Sequence, residues 1–516
     1  MPDQSHNQSK NQLFYGDNLE VLRRHIKDES VDLCYIDPPF NSKRNYNQIY
    51  NNVGKEDQAQ AQAFIDTWTW DDIANQGLAQ IQENYLGHFT SQSIDLISGL
   101  AKVLGKGSLL AYLVSMTLRI AEIYRVLKPT GSFYLHCDPT ASHYLKLVLD
   151  AIFCSQGGDF QNEIVWHYSG WNARLKDSFS RRHDVILFYA KTKNQVFNSY
   201  AIDWGSEDEY ARLRKQKIHT DNTGKRYVLS DAGKGKRVKR YLEEAVSYGQ
   251  PIDDVWDVDK INNSSKERLG YPTQKPESLL ERIITASSNE DDVVLDAYCG
   301  CGTTVAVSQR LNRRWIGIDI TYQSISLILK RLEDTFGKGV LENITLNGIP
   351  KDMEAAVALA NKSDDRTRKE FEKWAVLTYS NNRAIINQKK GADKGIDGIA
   401  YFRSEKDDPE KIILQVKSGK VSSRDIRDLQ GTITRESATL GVFITLQKPT
   451  KDMSKEAKEA GIYQSQYMSA PVDRIRIVTV QEIIEEQKRL DILLALEVLK
   501  SAEKQMEVKQ GTLDLE

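Results

Sequence analysis

The chain has 516 residues, enough for about three domains of ordinary size. Hydrophobic residues make up 40% and charged residues 28%, which excludes a fibrous or wholly disordered chain, and no apolar run approaches the roughly 20 residues of a membrane helix. Net charge is -2, from 70 Lys and Arg against 72 Asp and Glu, so the whole-chain balance says nothing about nucleic acid.

Five cysteines, odd in number and widely scattered (Cys34, Cys137, Cys154, Cys299, Cys301), argue against a disulfide framework. The polar start MPDQSHNQSKNQ has no apolar signal core. Both features predict a cytoplasmic protein.

In chain order, residues 1–12 read as a disordered leader. Leu13 to Tyr15 and Val31 to Ile36 read as strands, with helical spacing from Asn18 to Ile26 between them. That β-α-β unit implies a parallel sheet. Residues 41 to 110 are polar, then increasingly helical. A helix is predicted from Thr117 to Leu127, a strand from Ser132 to Cys137 and a helix from Ala141 to Phe153. Strands follow at Glu163 to Tyr168 and Asp184 to Ala190. The rhythm lapses from 195 to 268. It returns with a helix from Glu277, a strand Val293 to Asp296, a helix from Thr303 and a strand Arg314 to Asp319. Lys351 to Arg368 reads as a linker. Beyond it come a helix (368–378), two strands (396–402, 411–417), a helix (422–432), a strand (441–446) and a terminal amphipathic helix over 481–500.

Asp37-Pro38-Pro39-Phe40 closes the strand that ends at Ile36. The prolines end the strand and fix the turn at the carboxyl edge of the sheet, where ligands bind in open α/β folds. The Asp37 carboxylate and the Pro38 carbonyl are two acceptors, and Phe40 is a flat face. Together they suit a planar ring with an exocyclic amine. In a second turn, Asp296-Ala297-Tyr298-Cys299-Gly300-Cys301-Gly302-Thr303 leads from a buried strand into a helix. Its glycines let the backbone approach a ligand, and Asp319, ending the next strand, is placed to take ribose hydroxyls. Val305 stands where a nicotinamide fingerprint wants a third glycine. The turn therefore favours a nucleoside without pyrophosphate, such as S-adenosylmethionine, whose ammonium Asp296 suits.

From Arg212 to Arg240 eleven basic residues face two acids, Asp221 and Asp231. That excess fits a nucleic-acid phosphate backbone, with Arg212, Arg214, Lys215, Lys225, Arg226, Lys236, Arg237 and Arg240 as phosphate-binding candidates. His136 and His183 read as structural.

With Tyr271-Pro272-Thr273-Gln274-Lys275-Pro276 between the basic stretch and the glycine turn, residues 12 to 345 resemble the β-class amino-methyltransferases of DNA. In these the catalytic motif precedes the cofactor motif. The resemblance implies a Rossmann-like α/β fold with an inserted target-recognition region, S-adenosylmethionine as cofactor and double-stranded DNA as partner. Asp37, Pro38, Pro39 and Phe40 become catalytic. Thr273, Gln274, Lys275 and Pro276 would line the methionine end of the cofactor. Asp17 would lie near its adenine, and Asp296, Tyr298, Gly300, Gly302, Thr303 and Asp319 complete the pocket. Asp at the first catalytic position implies adenine N6 as target, with cytosine N4 as the alternative. Ala297-Tyr298 and Gly300-Cys301-Gly302 depart from the family's Pro-Phe and Gly-Ser-Gly but keep the glycines.

In the C-terminal part, Asp397 opens one strand, while Gln415 and Lys417 share a face of the next. Pairing these strands would gather a site for Mg²⁺, with Asp397 and Gln415 as ligands, Lys417 beside them and Glu372 as a further acid. Residues 369 to 483 resemble restriction-endonuclease-like nucleases of the Mrr type, an α/β domain. Gln415 stands where the wider superfamily carries an acid, so a degenerate domain kept for DNA or partner binding is the alternative. The expected division is a leader (1–12), a catalytic part (13–194), a target-recognition region (195–268), a cofactor-binding part (269–348), a linker (349–368) and a nuclease-type domain (369–516). The expected activity is that of a restriction-modification system, with a homodimer or a separate restriction subunit as candidate assembly.

Overall fold

The computed structural model describes residues 10–39, 44–52, 55–66, 68–170, 179–262, 264–271, 273–361, 365–381, 383–386, 395–402, 410–464 and 471–492; the side chains of 44–52, 55–66 and 365–368 are outside that description. Phe40, the leader up to residue 9 and the end of the chain beyond 492 lie outside the described residues.

Nine strands form the main sheet: β1 (Asn11–Tyr15), β2 (Val31–Ile36), β3 (Leu127–Cys137), β4 (Asp159–His167), β5 (His183–Ala190), β6 (Val255–Asp257), β7 (Val293–Asp296), β8 (Arg314–Asp319) and β9 (Ile344–Asn347). Their order is β6-β4-β5-β3-β2-β7-β8-β1-β9. β5 alone is antiparallel to its neighbours. β2 is buried along its whole length, as a central parallel strand should be. Its one carboxylate, Asp32, stitches three strands: Lys128 Nζ lies 2.8 Å from Oδ1, and the Val293 amide donates to Oδ2 at 2.9 Å.

The two motif turns meet because β2 pairs with β7, Leu33 opposite Val294 and Cys34 opposite Leu295. Helix Ser108–Val126 packs beneath them, its residues mostly buried. The predicted elements of this half recur with ends shifted by a few residues, except that the helix begins at Ser108 rather than Thr117. The stretch 195–268 is less separate than expected. It builds a small unit around Trp204, Tyr210, Val228 and Leu242, yet β6 within it joins the edge of the main sheet.

The second sheet has the order β10 (Ile385–Ile386), β11 (Gly398–Phe402), β12 (Glu410–Lys417), β13 (Leu440–Thr445), β14 (Ile475–Thr479). Alternation along β12 sorts its residues by face. Ile412, Leu414 and Val416 pack with Phe371 and Trp374 of helix Asp365–Tyr379; Ile413 packs with Ile426 and Leu429 of helix Ser423–Arg435.

Two expectations are corrected. The stretch read as a linker contains helix Met353–Ala360, capped by Asp352, with Ala356 and Ala360 in the second core. Its alanines are strong helix formers, and a small face packs closely on a neighbour. The terminal helix stops at Glu485. Gln487 takes positive φ and the Leu490 amide donates to the Tyr379 carbonyl at 2.8 Å, so Leu490 and Ile492 are buried by a returning chain rather than by a helix.

The two parts of the chain meet at a buried carboxylate. Glu370 Oε2 accepts from the Tyr322 amide (3.2 Å) and the Tyr15 hydroxyl (3.3 Å), and Oε1 accepts from Lys373 Nζ (2.5 Å). Glu370→Ala would strand these donors in a buried site. The expected loss is about 1–3 kcal/mol of unfolding free energy, read from denaturant titration. An unchanged midpoint would show that the contact adds nothing to stability.

Candidate active site

At the carboxyl edge of the main sheet, Asp37, Lys275, Tyr271, Asp296, Tyr298 and Asp319 line a cavity of about 770 Å³. Thr273, Gln274, Gly300, Thr303, Asp17, Pro38 and Pro39 also border it. The structure thus gathers most of the residues singled out from the sequence. Pro276 and Gly302 stand outside the lining. Pro276 starts helix Glu277–Ser287, and Gly302 caps helix Thr303–Arg310 at φ +75, where a Cβ would lie 2.7 Å from Ile328 Cγ1.

Asp37 is partly exposed and its Oδ2 is in contact with Lys275 Nζ, a close ion pair. The Pro38 carbonyl beside it follows a buried ring. Gln274 spans its own loop: its amide donates to the Glu267 carbonyl at 2.7 Å, and its oxygen accepts from the Leu269 amide at 2.8 Å. This loop geometry brings Lys275 to the catalytic turn. Asp17 is an N-cap, accepting from the Leu19 amide at 2.9 Å, and pairs with Arg119 at 3.0 Å. Asn18 next to it donates to the Ala297 carbonyl at 2.8 Å and ties the first loop to the glycine turn.

The acids of the cofactor turn are deeply set. Asp296 accepts from the Tyr298 amide at 3.0 Å, and burial, with Asp37 nearby, pushes its pKa up to about 7. Asp319 accepts from the Gly300 amide and the Thr321 amide, each at 2.9 Å, and burial raises it to about 6. Gly300 takes φ +48 and lies under Tyr271, where a Cβ would be 3.2 Å from the ring.

The sequence reading took His136 as structural and did not join it to Tyr35, Asp37 and Asp184. His136 is fully buried, with Nδ1 3.0 Å from the Tyr35 hydroxyl and 4.0 Å from Asp37 Oδ1, and Nε2 3.3 Å from Asp184 Oδ2. The available signal was an ionisable residue at the carboxyl end of a sheet strand.

The basic segment is built around strands Arg226–Asp231 and Arg237–Tyr241. Arg214, Lys215, Lys225, Lys236 and Arg237 are exposed and Arg240 is half-buried. Arg214 lies over the rings of Trp204 and Tyr210. Arg212 and Arg226 are occupied by ion pairs, with Glu209 and with Glu207 and Asp208. These acids lie just upstream of the basic window and fold back on it.

In the second sheet Asp397 lies immediately before β11 and opposite Gln415. Its amide donates to the Leu414 carbonyl at 3.0 Å, and its Oδ2 accepts from the Val416 amide at 2.6 Å. Gln415 is buried, and its Oε1 has no hydrogen-bond partner among the described residues. Lys417 is exposed at the strand end. Glu372 is half-buried on helix Asp365–Tyr379, which packs on the face opposite to that of Ile413 and Gln415. An orphaned oxygen beside a carboxylate suits a hard cation. Among the described residues no group of three or more His, Cys, Asp or Glu forms a metal cluster.

A family model described as DNA methylase matches residues 31–330. The chain belongs to the DNA methylase family. Residues 364–484 of this methylase match a second model, described as restriction endonuclease, so an endonuclease-type domain is fused behind the methyltransferase fold. The methylase is 28% identical over 322 residues to the DNA adenine methyltransferase YhdJ of Escherichia coli (strain K12), covering 62% of this chain and 82% of the relative. It is 26% identical to the StyLTI Mod subunit of a Type III restriction-modification enzyme of Salmonella typhimurium, covering 60% of this chain and 52% of that one. It therefore spans about half the length of that subunit. A solved structure of an M1.HpyAVI–SAM complex matches 62% of this chain and 99% of its own at 16% identity, with a TM-score of 0.31. No described helix is long and apolar enough to cross a membrane.

Proposed function

We propose that this methylase transfers a methyl group from S-adenosylmethionine to N6 of adenine in duplex DNA, and that its C-terminal domain cuts DNA with Mg²⁺. The observation that carries the first part is the pairing of β2 with β7, which sets Asp37 beside the buried acids of one cavity. Asp37 and the Pro38 carbonyl hold the two amine hydrogens of a base flipped into the cavity, and this favours the more pyramidal, nucleophilic nitrogen. Asp296 and Asp319 hold the ammonium and the ribose, and the Gly300 turn admits the nucleoside. Bound S-adenosylmethionine supplies the electrophilic methyl. Lys275 neutralises Asp37 until the base arrives. The exposed arginines and lysines of 195–268 hold phosphates. The likeness to a Mod subunit supports a partner subunit in a restriction-modification assembly.

Asp397 and Gln415 would hold the Mg²⁺, which lowers the pKa of a bound water; Lys417 stands at the strand end to meet the phosphate. The test of both parts is incubation of mixed-sequence unmethylated duplex DNA with S-adenosylmethionine, with and without Mg²⁺. Nucleosides are read by mass spectrometry and strands on a gel. N6-methyladenine and Mg²⁺-dependent breaks are expected. N4-methylcytosine in its place would overturn the target assignment, and intact DNA with Mg²⁺ would overturn the nuclease assignment.

Cofactor binding should depend on pH. The raised pKa values of Asp296 and Asp319 mean that burial disfavours their ionised forms. A cationic ligand binds the ionised form, so affinity increases as pH rises through 6 to 7. Calorimetry should show S-adenosylmethionine binding about tenfold tighter at pH 8 than at pH 6, and Asp296→Asn should flatten the dependence. A flat native profile would exclude Asp296 as the ammonium partner.

A further inference from the structure

The reversal of β5 places its first residues at the same edge as the ends of the parallel strands, so Asp184 comes to the catalytic edge. There it meets His136, the last but one residue of β3. The result is a line of groups running away from the base site: Asp37, the His136 ring and Asp184. The ring is enclosed by Tyr35 of β2, by Trp166, whose ring stands edge-on at 5.4 Å, and by Asp184 of β5. Tyr168 donates to Asp184 Oδ1 at 3.3 Å, Lys260 lies 3.6 Å over the Tyr168 ring, and Lys275 lies on the far side of Asp37. Asp184 keeps some exposure, whereas His136 has none. The imidazole thus stands between two carboxylates, of which Asp37 alone borders the cavity.

We propose that His136, backed by Asp184, takes through Asp37 the proton that the substrate amine loses on methylation, and is thus a positioning residue for the reaction. This rests on the adenine-N6 reading above. The amine lone pair forms the new N–C bond, while the methyl–sulfur bond breaks and its electron pair stays on sulfur as a neutral thioether. The nitrogen, now positive, releases one proton to the Asp37 carboxylate. Asp37, whose Oδ1 stands 4.0 Å from the ring, closes on His136 and passes it to Nδ1, where the Tyr35 hydroxyl can accept from the protonated nitrogen. The resulting imidazolium donates from Nε2 to Asp184 and is held there while product forms; once the product leaves, the extra proton departs from Nδ1 by way of Asp37, which is partly exposed, and the starting tautomer is restored.

The test uses the full chain, duplex DNA and single-turnover methyl transfer between about pH 5.5 and pH 9, at S-adenosylmethionine concentrations that saturate the protein at every pH, so that the cofactor's own pH dependence does not enter the profile. Native protein, His136→Gln and Asp184→Asn are compared, with S-adenosylmethionine affinity measured separately. His136→Gln should slow transfer roughly a hundredfold and remove the acid limb of the rate profile. Its cofactor affinity should stay within about twofold of native. Asp184→Asn leaves the imidazolium less stabilised, so the acid limb should move to lower pH. A His136→Gln protein that keeps the native rate or the native limb would overturn the inference. If it fails to fold by circular dichroism, Asp184→Asn decides alone: an unmoved limb overturns the inference and a shifted limb supports it. A native chain that transfers no methyl group to adenine would overturn the functional reading and this inference together. An active native chain with unaltered variants overturns this inference alone.

Discussion

Asp37→Ala is expected to lower methyl transfer by about a thousandfold, with S-adenosylmethionine bound nearly as tightly as by the native chain. Asp37 follows the end of β2 and lines the same cavity as the groups assigned to the cofactor. Its removal takes away one of two acceptors for the amine. It also leaves the mostly buried Lys275 ammonium without its partner in the catalytic turn. That cation next to the amine opposes the positive charge which develops on nitrogen, so the loss should exceed that of one neutral hydrogen bond. Asp37→Asn keeps an acceptor oxygen without the charge and should fall between the two. The measurements are single-turnover rate and calorimetric cofactor affinity. Loss of cofactor binding in Asp37→Ala would assign the residue to the cofactor rather than to the base.

Asp397→Ala should abolish Mg²⁺-dependent strand breaks, by about a thousandfold or more, and leave methylation unchanged. Gln415 brings an oxygen without charge, so Asp397 carries the negative charge at this strand pair. Asp397→Asn separates charge from architecture. Its side-chain oxygen can still accept from the Val416 amide, so the hairpin should stay folded while cleavage is lost. If Asp397→Asn cleaves like the native chain, the metal site lies elsewhere. Methylation serves as the internal control, because the two sites lie on separate sheets.

Local chemistry was legible in the chain itself. Two prolines after an apolar strand, a glycine turn after another, and an acid at the end of a third each announce a sheet edge. The physical causes are short-range: fixed φ, positive φ and the period of a strand. The sequence put Gln415 and Lys417 on one face and made Asp397 face them only if the two strands paired; the structure supplies that pairing, with Gly398 opposite Leu414. The strands at Val293–Asp296 and Arg314–Asp319 were found to the residue, each a short apolar run ended by an acid.

Other features depend on groups far apart in sequence. The Asp37–Lys275 contact spans 238 residues, and nothing near either residue encodes it. The burial of His136 between Tyr35 and Asp184 required three strands and the reversal of one of them. Glu370 looks like an ordinary helix acid beside the singled-out Glu372, and only docking on Tyr322 buries it. The helix within the expected linker was hidden by its charged flanks, since its small face becomes apolar in effect only when a core receives it.

The sequence by itself therefore determined which turns carry chemistry, the parallel strands that hold those turns, though not the reversed β5, and the presence of a second α/β domain. The tertiary structure decided which side chains face each other across the sheet edge, which cations are already paired, and where the pKa values of Asp296 and Asp319 lie. The reason is physical: backbone preference acts over a few residues, whereas burial and charge pairing are properties of neighbours in space.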